Sequence, residues 1–195
     1  MSMKKIRWTC LGVLLMTTTS LAFAGLWDEI AMHESDIWYL LLQHMRMVGI
    51  SGVLALVVAI PLGIWMSRPA QRLRATAVMQ VLNVGQAIPK LALLALAMSF
   101  LGLGAPSAIF GLWMATLLPV VVNTYEGLLA VPRPMVEAAE AMGMTPKQIL
   151  WRIEFPNALY VIFAGIRTAL AINVGTAPLA FLVGGGGLGE LIFTG

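Results

Sequence analysis

Apolar residues fill four long stretches of this chain, about 48–66, 75–103, 106–131 and 159–183, each long enough to cross a bilayer as a helix. Gly and Pro interrupt all of them: Pro61 in the first, Gly85 and Pro89 in the second, Pro119 in the third, Gly175 and Pro178 in the fourth. None alternates apolar and polar at every second residue, so helices are indicated and a barrel is not. Composition agrees, with 59% hydrophobic residues, 11% charged and a mean hydropathy of +0.89, against about 25% charged in a soluble domain. The expected fold is an all-α membrane protein, a multi-span helical bundle.

The charges orient it. Lys4, Lys5 and Arg7, then Arg68, Arg72 and Arg74, then Arg133, Lys147 and Arg152 occupy alternate loops. By the positive-inside rule those three segments are cytoplasmic. The net charge of +3 is thus a membrane-flanking pattern and gives no reason to expect nucleic acid as a partner. Residues 1–25 read as a signal anchor or signal peptide, because the basic start leads into an apolar run and Ala22-Phe23-Ala24 offers a cleavage site. If that segment is retained, the N-terminus is cytoplasmic. Residues 26–47 form an acidic outer segment and an amphipathic lead-in, and 48–195 the transmembrane domain. The single cysteine, Cys10, excludes a disulfide framework within one chain. His44 has no partner at metal-ligand spacing, and no metal site is expected.

One polar segment, 137–156, interrupts the apolar second half, within a loop of about 132–157. Pro134 suits a first helical turn, with Glu137 in the positively polarised start of that helix. Gly143 can close it in a left-handed conformation. Thr145 then caps a second helix, with Pro146 at its first position and Gln148 completing a T-x-x-Q capping box. Ile149, Leu150 and Ile153 share one face of that helix, and Pro156 marks its expected end.

Glu137-Ala138-Ala139, Gly143, Ile153 and Pro156 together resemble the EAA loop of ABC-importer permeases, E-A-A-x3-G-x9-I-x-L-P, with Phe155 where Leu is usual. The wider chain, from about residue 37 onward, is similar to osmoprotectant permeases for glycine betaine, carnitine and choline. The matching residues are Ile88-Pro89, Leu117-Leu118-Pro119, Asn123-Thr124-Tyr125, Gly165-Ile166-Arg167-Thr168-Ala169, Gly175-Thr176-Ala177 and the glycines from Gly184. Methionine permeases share the glycine-rich end and match less well elsewhere. The resemblance implies the type I importer (MetI-like) permease fold in a bacterial plasma (inner) membrane, with a last span that would lie beyond residue 195. It also implies a chain that does no bond chemistry. Its partners would be a cytosolic ATPase subunit carrying ATP and Mg, a second identical or related permease, an external solute-binding protein and membrane lipid.

Polar groups inside the spans are costly and usually face a cavity or one another. Lys90, Asn123, Asn173 and Thr176 are candidates for lining a passage, with interhelical ties as the other reading. Glu126 and Arg167 lie at comparable depth and are expected to pair. A different solute, a membrane remnant that moves nothing, and a transporter working without ATP remain as alternatives. The last needs a central acid, and none of the nine Asp and Glu residues is central to a span.

Overall fold

The computed structural model describes residues 33–194, the side chain of Arg72 apart. The expected signal segment at 1–25 and the outer residues up to 32 lie outside the described residues. The chain divides into two units, 1–40 and 41–195. In the first, residues 33–40 open helix α1 (Glu34–Met66), with Glu34 and Asp36 in its first turn, where free backbone N–H groups favour negative charge. No glycine or proline lies between residues 34 and 48, so the expected boundary at 47 between lead-in and span falls inside one helix.

After a 3-10 turn (Pro69–Gln71), helices α2 (Arg72–Ala87) and α3 (Lys90–Leu101) meet at 99°. The apolar stretch expected over 75–103, interrupted at Gly85 and Pro89, is broken at the second of these and runs on through Gly85. Pro89 is the cause: the residue before a proline is pushed out of helical conformation, and Ile88 is extended at φ −68°, ψ 128°. Helix α4 (Ala105–Leu129) follows, then α5 (Arg133–Ala141), α6 (Pro146–Ile149), a π-helical turn (Leu150–Glu154) and α7 (Phe155–Thr176). A 3-10 segment (Ala177–Val183) and α8 (Gly189–Thr194) end the described chain. Glu34–Met66, Ala105–Leu129 and Pro146–Val183 are each long and apolar enough to cross a membrane, and the bent α2–α3 pair makes a fourth if counted as one span.

The packing centre is α4 against α7. The latter buries Ala158, Ile162, Gly165, Ala169, Asn173 and Thr176, a stripe repeating every three or four residues. Between helices in lipid there is little hydrophobic driving force, and close approach through small residues replaces it. Gly165 shows how close: a Cβ there would lie 2.5 Å from the Asn123 Cβ and 2.9 Å from the Pro119 carbonyl oxygen. Pro119, inside α4, has no N–H for the carbonyl of Ala115 one turn back. Gln86 of α2 supplies the missing donor, its Nε2 lying 3.0 Å from that oxygen. A proline that weakens one helix therefore fixes the position of another.

Candidate coupling loop and intramembrane polar residues

The loop from α5 to α7 is built by local chemistry. Pro134 lies in the first turn of α5, as expected, but the helix starts at Arg133, so Glu137 belongs to its second turn. At the other end, Gly143 has φ 77°. Gly143 N–H donates to Glu140 O (2.9 Å) and Met144 N–H to Ala139 O (3.1 Å), the paired bonds of a glycine-terminated helix. A Cβ on Gly143 would meet nothing within 4 Å, so the need for glycine here is conformational. The capping box forms: Thr145 N–H donates to Gln148 Oε1 (2.8 Å), and Gln148 N–H points to Thr145 Oγ1 (3.4 Å).

Beyond Ile149 the helix does not stop at Pro156. It continues into α7 through the π turn, in which Phe155 N–H donates to Leu150 O, five residues back. A proline ring clashes with the carbonyl four residues before it and offers it no proton. Widening the turn by one residue accommodates both defects. Asn157 adds a side-chain bond, Nδ2 to Ile153 O at 2.6 Å. The same turn carries Glu154, whose carboxylate meets Arg68 at 2.7 Å; the two side chains are 14% and 30% exposed. Arg68 is held on its own side by Ile64 O (3.3 Å) and Ser67 Oγ (2.8 Å). The end of α1 and the coupling loop are thereby tied by a charged pair.

Of the six signature residues, Ala139 is fully buried and Ile153 is half-buried, while Glu137, Ala138, Gly143 and Pro156 are exposed. The loop also exposes large apolar side chains, Met135, Met142 and Trp151, with Met142 at 72%. Composition alone does not single these out among thirteen methionines and six tryptophans. Arg68, read from sequence only as an orienting charge, was equally hidden. The available signal was Glu154, a carboxylate at an apolar helix start that needs a cation.

Of the four polar candidates for a passage, Asn173 and Thr176 are buried, Asn123 is half-buried and Lys90 is exposed. Asn173 Nδ2 donates to Val48 O (3.2 Å) and Ser51 Oγ (2.9 Å), tying α7 to α1 with no exposure. Thr176 donates to Ile172 O (2.6 Å) and accepts from Lys90 Nζ (3.0 Å), so the ammonium at the start of α3 is anchored to the end of α7. Half-buried Asn123 donates to Pro119 O at 2.8 Å, within its own helix. Glu126 and Arg167 do not pair, which corrects that expectation: among the described residues the ion pair runs from Arg68 to Glu154. Helical phase is the reason. Arg167 stands two residues from both Gly165 and Ala169, hence on the face of α7 turned away from α4. Among the described residues no cluster of His, Cys, Asp and Glu could hold a metal ion.

Residues 59–195 match the family described as the inner membrane component of binding-protein-dependent transport systems. The osmoprotectant import permease OsmY of Salmonella typhimurium is 46% identical over 195 residues, covering 100% of this chain and 82% of the relative. The carnitine transport permease OpuCD of Listeria monocytogenes is 42% identical over 153 residues, 78% of this chain and 68% of the relative. The glycine betaine/carnitine/choline permease OpuCD of Bacillus subtilis is 44% identical over 160 residues, 80% and 69% respectively. Among solved structures, a chain of the inward-facing MetNI methionine ABC transporter superposes with a TM-score of 0.71 at 26% identity, covering 81% of this chain and 79% of that one. Fold, sequence and loop geometry thus converge, and the chain belongs to the family of inner-membrane components of binding-protein-dependent transport systems.

Proposed function

We propose that this chain is the permease subunit of an ATP-driven importer for a small osmoprotectant of the glycine betaine, carnitine and choline class. The observation that carries the reading is the loop α5–α6: two capped helices between α4 and α7, with exposed Met135, Met142 and Trp151, continuous with α7 through the π turn. Such a unit suits docking on a cytosolic ATPase subunit, which would hold ATP and Mg. Two permeases, identical or related, would face each other around the passage, and an external binding protein would deliver the solute. Closure of the ATPase pair on ATP would displace α5–α6. The displacement would reach α7 directly and α1 through Glu154 and Arg68, biasing two permease states. Relatives named for osmoprotectants are more similar (46% and 44% identity) than the methionine transporter chain (26%), which favours that solute class.

The test is uptake. In cells lacking other betaine uptake, this permease co-expressed with its ATPase and binding protein should accumulate labelled glycine betaine. An ATPase partner unable to hydrolyse ATP should abolish accumulation. Uptake that persists with the inactive ATPase would replace this reading with an ATP-independent transporter.

A further inference from the structure

The face of α7 opposite the packing stripe carries a feature that helix packing does not use. Tyr160, Phe163, Ala164, Arg167, Thr168, Ala171 and Ile172 line an open groove of about 740 Å³. Tyr160 is 87% exposed and Phe163 61%. Arg167 is exposed too, and it has neither a hydrogen-bond nor an ion-pair partner among the described residues. At ~1.5 Å per residue it stands about 18 Å along α7 from Phe155, near the middle of a helix of 22 residues. A guanidinium turned to lipid in the middle of such a helix is expensive. This face of α7 therefore needs water, an anion or another polar partner in front of it. The groove offers few other donors: the Thr168 hydroxyl already donates to Ala164 O at 3.0 Å. Phe163 sits one turn, about 6 Å, from Arg167 on the same stripe, with Tyr160 a further turn away.

We propose that this groove lines the passage and binds the zwitterionic solute, Arg167 receiving its carboxylate and the Phe163 and Tyr160 rings its quaternary ammonium. A cation over an aromatic face and a carboxylate on a guanidinium fork are both favourable, and more so away from bulk water. Side chains one turn apart on one helical face can both reach a solute whose two charges are a few bonds apart, such as glycine betaine. Choline has the ammonium but no carboxylate, so Arg167 should set the preference between them. The proposal rests on the osmoprotectant reading above and adds a selecting residue within the permease.

The test uses the complete transporter in vesicles, with saturated binding protein, and compares labelled glycine betaine with labelled choline. Arg167→Gln should reduce glycine betaine uptake at least tenfold and raise the choline-to-betaine uptake ratio by a similar factor. Arg167→Lys, which keeps the charge, should stay within threefold of the parent, and Phe163→Leu should slow both solutes. Unchanged betaine uptake in Arg167→Gln would overturn the proposal. So would equal loss of both solutes with no rescue by lysine, since that marks a structural arginine. A parent transporter that carries neither solute would instead refute the osmoprotectant reading itself.

Discussion

At the scale of single residues, the coupling loop turns on Gly143. Its φ of 77° is a conformation that a β-branched side chain resists, at a cost of about 1–2 kcal/mol. Gly143→Val should leave membrane insertion intact and reduce solute-stimulated ATP hydrolysis severalfold, measured on the purified transporter. Asn173→Ala acts elsewhere: it withdraws the donor to Val48 O and Ser51, and should lower thermal stability by about 1–3 kcal/mol in detergent. Gly143 was legible in the sequence because a helix stop is a local event, set by neighbours such as Thr145 and Gln148. Asn173 was not: its position on a helix is readable, but which way that face points depends on where α1 and α4 lie.

Among elements, prolines decided what could and could not be read. Pro89 and Pro156 look alike in sequence, the one an interruption within a span and the other a helix end. The structure reverses the second and sharpens the first. Pro89 breaks the chain at 99° because Ile88 turns extended, whereas Pro156 is absorbed by a π turn that keeps α6 and α7 continuous. The difference lies in what surrounds each proline, including the Asn157 bond to Ile153 O. The tie between α1 and the π turn is also an element-scale property. A double-mutant cycle with Arg68→Gln and Glu154→Gln should give a coupling energy of about 0.5–1 kcal/mol, because both side chains keep some contact with solvent. Full additivity would show that the pair does not join the two elements.

On the scale of the whole molecule, small-residue packing and polar ties hold the spans together, with the α5–α6 loop joining two of them. The alternating basic loops lead us to expect that loop, and Arg68 with it, on the cytoplasmic side. That expectation was readable from sequence because charge and hydropathy act over whole segments. The face of α7 that bears Arg167 was not, since its neighbours come from packing. The central claim is that α5–α6 docks on the ATPase, and cross-linking tests it most directly. In a Cys10→Ser background, Met142→Cys at the exposed end of α5 should be joined to the ATPase subunit by a short thiol cross-linker in the assembled transporter. Leu103→Cys, also exposed but beyond the end of α3, should not. Cross-linking at Leu103 and none at Met142, in complexes of normal transport activity, would contradict the account.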